Sequence, residues 1–251
     1  MKHCRIKVSW LWIPFLLCYP FIPLYKTLLF IFLFLSIHES AHIIVAICFH
    51  YPIQKVILYP FGLCAVIDSI GYRSGIKDFL ILVAGPLTHL LEPLLLRSLV
   101  MVGWISQAYC DYLCMMNLSI LVFNLLPIYP LDGGRMLELF LQLIFPYMLA
   151  GKLLNLISMV LISCCYLIKM FQGISGLAIC ILLIIENMQS YRRRPYQRAT
   201  FYQYRMDHPS TYPIRMNHGR EMYRFATNIM LYESNWVNEE VWLNLLGISK
   251  R

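Results

Sequence analysis

Six apolar runs dominate the 251-residue chain, at about residues 9–25, 27–49, 79–100, 110–127, 153–170 and 174–190. A helix that crosses about 30 Å of hydrocarbon needs about 20 predominantly apolar residues. Inside hydrocarbon each backbone N–H and C=O must be satisfied within the chain, so runs of this length fold as helices. The reading is an all-α polytopic membrane protein with about six transmembrane helices. The composition agrees, with 59% of residues hydrophobic and only 14% charged, where an ordinary soluble domain has about a quarter charged. The fifth run is short, and the amphipathic stretch 134–150 is read as packing beside it.

The formal net charge of +8 does not point to nucleic acid, because of where the charge lies. Ten of the 21 Lys and Arg residues fall between Arg192 and Arg251, after the last apolar run, and Lys2, Arg5 and Lys7 precede the first. Cytoplasmic ends carry such an excess. With an even number of spans, both termini are placed in the cytoplasm, leaving only Lys26, Arg97 and Lys169 outside. Residues 1–190 are read as the membrane domain and residues 191–251 as a basic cytoplasmic tail lying on anionic headgroups. The N-terminal run is read as a retained helix, since no A-x-A-like site follows it. Most of the nine cysteines sit in apolar runs without metal-ribbon spacing, as buried small hydrophobes.

Between the second and third runs lies "YPIQKVILYPFGLCAVIDSIGYRSG", β-branched and partly alternating, with Pro60-Phe61-Gly62 offering a turn. The pattern predicts a small β-hairpin or sheet, with an irregular loop as the alternative.

The second run contains "LSIHESAHIIVA", residues 35–46. Ionisable side chains in a span are costly and mark functional sites. His38 and His42 are four residues apart, so on a helix both imidazoles share one face and can reach one metal ion. Glu39 is adjacent and can take a proton from a water. This is the zincin arrangement. The cluster lies about 7 to 11 residues from the end of its span, roughly 10–17 Å deep at 1.5 Å per residue.

A catalytic zinc takes three protein ligands and keeps one position open. The third is sought in "NLLPIYPLDGGRML", residues 124–137, where Pro127 and Pro130 break the end of the fourth run. Alone, Asp132 reads as an N-cap of the helix that follows. Beside an H-E-x-x-H it reads as the missing carboxylate, since broken backbone at membrane depth lines protein or a wet cavity.

The pair HESAH plus Asn124-Leu125-Leu126-Pro127-Ile128-Tyr129-Pro130-Leu131-Asp132-Gly133 resembles the site-2 protease family of intramembrane zinc metalloproteases over about residues 5–190. "AGPLTH", Ala84 to His89, resembles that family's Gly-Pro-containing third span. The resemblance implies one Zn²⁺ per chain held by His38, His42 and Asp132, with Glu39 as catalytic base. It implies Asn124 as a stabiliser of substrate or oxyanion, beside the plainer role of bonding a carbonyl freed by the proline break. His89 is an extra ligand or substrate-site group, or else a helix-to-helix hydrogen bond. Glu92 has no motif behind it, and His50, His208 and His218 read as interfacial or tail residues. No insertion fits between the third and fourth runs, and this compactness resembles the family's sporulation branch.

That branch implies regulated cleavage of a membrane-associated substrate, a sporulation sigma-factor precursor, in the bacterial cell membrane or the membrane around a developing spore. It leaves room for membrane inhibitor proteins and for an oligomer. Relatives of that branch carry a C-terminal CBS domain; the tail here is shorter and shows no clear strand-helix pattern for one. Extended substrate would pair with the hairpin at 52–68 by β-addition. The alternatives are a non-catalytic metal-binding membrane scaffold, against which the intact Glu39 argues, and a metal transporter, which needs a path to both faces.

Overall fold

The computed structural model describes residues 5–8, 25–59, 62–67, 71–170 and 173–249. The span read at 9–25 lies largely outside them. The chain divides into two compact units, Met1–Leu125 and Leu126–Arg251.

In the first unit, β1 (Arg5–Val8) precedes α1 (Tyr25–Cys48), β2 (Ile53–Tyr59), β3 (Gly62–Ile67), α2 (Gly75–Met101) and α3 (Gln107–Asn124). The alternating segment between α1 and α2 forms β2 and β3, paired antiparallel from Ile53↔Ile67 to Tyr59↔Gly62. β1 joins on the other side of β2, in parallel, so the sheet order is β1-β2-β3.

The helices bury their polar stripes and expose their apolar faces. On α1 the buried residues are Thr27, Phe34, His38, His42 and Ala46, mostly four apart and therefore on one face. Leu29, Leu33, Ile44 and Ile47 face outward. On α2 the buried set includes Asp78, Ile81, Gly85, His89, Glu92 and Leu96, while Leu80, Leu87, Leu90, Leu91 and Leu94 are exposed. A soluble protein would not leave such a belt uncovered. Phe34, Leu96, Cys110 and Leu113 form one apolar core, and Ala46, Tyr51 and Ile81 another. The Tyr51 hydroxyl and the Gly71 N–H donate to Asp78 at 2.5 and 2.8 Å, which ties the start of α2 to the loops around it.

The second unit contains α4 (Asp132–Ile144), α5 (Tyr147–Leu167), α6 (Gly173–Asp207), β4 (Ile214–Asn217), β5 (Thr227–Tyr232), β6 (Asn235–Asn238) and α7 (Glu239–Leu245). α5 presents Ala150, Gly151, Leu154, Asn155, Ser158 and Ile162 to the interior, and α6 presents Gly176, Cys180, Leu183, Asn187 and Ser190. Small residues let the two backbones approach. Asn155 and Asn187 then bond reciprocally, each amide donating to the other's carbonyl at 3.1 and 2.9 Å.

α6 runs without a break from its apolar part into the arginine-rich stretch. The basic segment is itself folded, and three of its arginines turn inward. Arg194 pairs with Glu138 and donates to Asn155 Oδ1. Arg205 grips Glu239 at 2.5 and 2.8 Å and the carbonyls of Arg224 and Ala226. Arg224 donates to Gln142 at 2.7 Å. β5 lies between β4, parallel to it, and β6, antiparallel. Tyr202 packs edge-on against Trp242 of α7.

Four described helices are long and apolar enough to cross a membrane: α1, α2, α5 and α6. α3, which corresponds to the run at 110–127, is not among them, since Gln107, Asp111, Asn117 and Asn124 dilute its apolar content. The described residues thus do not reach six spans.

Candidate metal centre

The site in the first unit starts from a close approach of α1 and α2. A Cβ at Gly85 would run into His42 Nε2 and would lie 2.7 Å from His38 Cε1. Glycine at this position leaves the space that both imidazoles occupy. Pro86 follows it inside the helix and removes the N–H that would serve the Leu82 carbonyl, loosening the turn that carries Ile81. The Ile81 carbonyl accepts a hydrogen bond from His42 Nδ1 at 2.6 Å. A carbonyl only accepts, so His42 carries its proton on Nδ1 and keeps a lone pair on Nε2.

His38 is held from the other side. Its Nδ1 lies 3.1 Å from His89 Nε2 on α2. Its Nε2 faces His42 Nε2, also at 3.1 Å, with the two rings nearly perpendicular. Both rings are buried, at 6% exposure. Two ring nitrogens converge where a tetrahedral metal would span an edge of about 3.3 Å with bonds of about 2.05 Å. His89 continues inward: its Nδ1 lies 2.9 Å from Glu92 Oε2 and 2.5 Å from Asn117 Oδ1 on α3. Asn117 Nδ2 donates to the His89 carbonyl at 2.7 Å.

Asp132 is the first residue of α4, and the residue before it, Leu131, occupies the cap position without a side-chain bond. The plain N-cap reading of Asp132 thus does not describe it. Gly134 explains the second glycine of the motif: a Cβ there would lie 2.5 Å from the Ile128 carbonyl carbon and oxygen. The helix can therefore begin directly under the loop it leaves. Ser158 of α5 accepts from the Tyr129 N–H at 2.9 Å and holds that loop.

His38 and His42 of the first unit and Asp132 of the second are, among the described residues, the candidate set of metal-binding side chains. Two neutral imidazoles and one carboxylate suit Zn²⁺, and the Gly85 cradle and the converging nitrogens fit such an ion. Glu39, half-buried, follows His38 directly on α1. Asn124, also half-buried, is the last residue of α3.

Residues 98–168, which include the whole Asn124–Gly133 motif, match the model of Peptidase family M50. Over these residues the chain is similar to a Peptidase family M50 domain. Stage IV sporulation protein FB of Bacillus subtilis is 34% identical over 179 residues, covering 70% of this chain and 62% of that protein. A zinc metalloprotease of Methanocaldococcus jannaschii is 31% identical over 137 residues, 52% of this chain and 39% of that protein. The chain thus spans less than two thirds of the length of either relative. The solved structure of a site-2 protease from Methanocaldococcus jannaschii superposes with a TM-score of 0.49 at 25% identity, over 78% of this chain and 92% of that one. The Methanocaldococcus jannaschii relative is a zinc metalloprotease by name, and the four apolar helices here mark an integral membrane protein.

Sequence reasoning missed Asn117 and left Glu92 without a role. Their signal was present, since each is a polar residue inside an apolar helix. Their partners lie 28 residues away in one case and three in the other, and only the first of these depends on how the helices pack.

Proposed function

We propose that this chain is an intramembrane zinc metalloprotease that cleaves a membrane-associated protein. His38, His42 and Asp132 hold the ion, and Glu39 is the base. The observation that carries the reading is the His38–His42 pair: two buried Nε2 atoms 3.1 Å apart with Nδ1 of each already engaged. Two imidazole nitrogens this close, on residues four apart on one helix face, form a donor pair that one cation can bridge.

When bound, zinc lowers the pKa of a water and polarises a carbonyl. The protein supplies the rest. Glu39, next to a ligand and half-buried, accepts the proton of the attacking water and returns it to the leaving amine. The Ile81 carbonyl keeps His42 in the ligating tautomer. Among the described residues β3 is an edge of its sheet, so an extended substrate segment can add beside it through main-chain hydrogen bonds, exposing a peptide bond that a helix would hide. Asn124 at the end of α3 is assigned to the substrate carbonyl.

Similarity to a stage IV sporulation protein supports a sporulation role, with a sigma-factor precursor as substrate and the membrane around a developing spore as its place. Both termini are assigned to the cytoplasm, with residues 191–251 as its cytoplasmic part.

The test co-expresses the chain with a spore-type sigma-factor precursor and compares it with Glu39→Gln. Loss of processing with zinc retained is expected. Equal processing by both forms would favour a metal-binding scaffold, and zinc flux into liposomes without proteolysis would favour a transporter.

A further inference from the structure

The buried groups behind His38 form a chain whose proton positions can be worked out one after another. Pro93 lies inside α2 and has no N–H. The carbonyl four residues earlier, that of His89, therefore lacks its helical donor. Asn117 of α3 fills that gap, its Nδ2 donating to the His89 carbonyl at 2.7 Å. This orients the amide, because only the NH₂ side can face a carbonyl. Asn117 Oδ1 is thereby turned to His89 Nδ1, at 2.5 Å. Glu92 Oε2 reaches the same nitrogen at 2.9 Å. Two acceptors on one nitrogen place a proton there. In the neutral ring Nε2 of His89 is then an acceptor, and it faces His38 Nδ1 at 3.1 Å. His38 must donate from Nδ1, which leaves its lone pair on Nε2, the atom that faces His42.

We propose that Pro93, Asn117, Glu92 and His89 form a positioning relay that sets the His38 tautomer and so tunes metal affinity. The idea rests on the protease reading above, and it assigns these four residues to a purpose that the H-E-x-x-H and Leu-Asp-Gly motifs do not contain. His89 is neither a ligand nor a substrate contact in this scheme. The three polar members are buried: His89, Glu92 and Asn117 have 2–3% exposure. The second oxygen of Glu92 has no hydrogen-bond partner among the described residues, so its hydrogen bonding goes to His89 alone. Partners of this kind behind a ligating histidine fix its orientation and raise its basicity, and their loss typically weakens metal binding by about 10–100-fold.

The experiment measures zinc affinity of the full chain in nanodiscs against a chromophoric chelator, with the cobalt-substituted spectrum as a second readout. His89→Leu removes the acceptor and is expected to weaken zinc binding about 10–100-fold. His89→Gln, whose side-chain oxygen can still accept from His38 Nδ1, is expected to restore much of that loss at the same thermal stability. If His89→Leu does not fold, Glu92→Gln decides, with an expected loss at the lower end of the range, about tenfold. Unchanged affinity in His89→Leu, or in Glu92→Gln where the former is unfolded, overturns the relay. Equal affinity of the Leu and Gln forms at equal stability overturns it too. His42→Ala separates the two ideas. If the parent chain binds no zinc, or His42→Ala binds as well as the parent, the metal centre itself fails and the relay with it. If His42→Ala abolishes binding while His89→Leu does not change it, only the relay falls.

Discussion

Replacing Gly85 by alanine tests the metal centre with a single methyl group. That methyl would overlap His42 Nε2 and sit 2.6 Å from His42 Cε1 and 2.7 Å from His38 Cε1. Ordinary contact between carbon atoms is about 3.5–4.0 Å, so one or both rings must retreat by about 0.8 Å or more. Metal–ligand distances tolerate about 0.2 Å. His42 has little room to yield, because its Nδ1 is fixed to the Ile81 carbonyl at 2.6 Å. Overpacking of a tight site typically costs about 1–3 kcal/mol. Converted at 1.4 kcal/mol per decade, this is a zinc affinity weakened roughly 5- to 150-fold. The sign is informative, since an alanine in an unobstructed helix would be favoured over glycine by about 0.8–1.0 kcal/mol. The assay is zinc competition in nanodiscs, read beside thermal unfolding. A Gly85→Ala protein that is more stable and binds zinc like the parent would refute the close packing of α1 on α2 at the histidines.

Gly134→Ala acts on the other motif. Its methyl would press on the Ile128 carbonyl group and, at 2.7 Å, on the Tyr129 nitrogen. Backbone cannot rotate aside, so a loss of about 1–3 kcal/mol is expected in thermal unfolding, and an unchanged melting temperature would count against it. Glu239→Gln leaves the buried Arg205 guanidinium without its counter-charge. Breaking such a pair costs about 3–5 kcal/mol, and limited proteolysis between residues 208 and 249 should accelerate; equal resistance would sink the prediction. Proline at Cys64 and, separately, at Ala65 probes the β3 edge, because neighbouring N–H groups alternate between β2 and the open side. One of the two should slow substrate cleavage while zinc stays bound, and full turnover in both would remove β3 from the substrate path.

Much of the first unit was legible because its information is local. Apolar runs of span length dictate helices, since hydrocarbon offers no other partner for the backbone. A spacing of four places His38 and His42 on one face whatever surrounds them. Gly-Pro at 85–86 and Gly-Gly at 133–134 announce close backbone approach, although not to what. The reach of His89 to His38, 51 residues away, was open in the sequence between ligand, substrate group and plain hydrogen bond. It is decided only by which turns of α1 and α2 lie side by side. Asn117 owes its role to a carbonyl that Pro93 frees on a different helix. The arginine-rich end read as a tail lying on anionic headgroups, because composition counts charges without showing their partners. Folding brings Glu138, Gln142 and Glu239 to Arg194, Arg224 and Arg205, and a buried charge is tolerated where such partners meet it. Period and composition therefore determined the helices and the shared face of His38 and His42. Packing decided the proton positions behind that pair and the inward turn of the basic segment, because both depend on contacts between residues far apart in the chain.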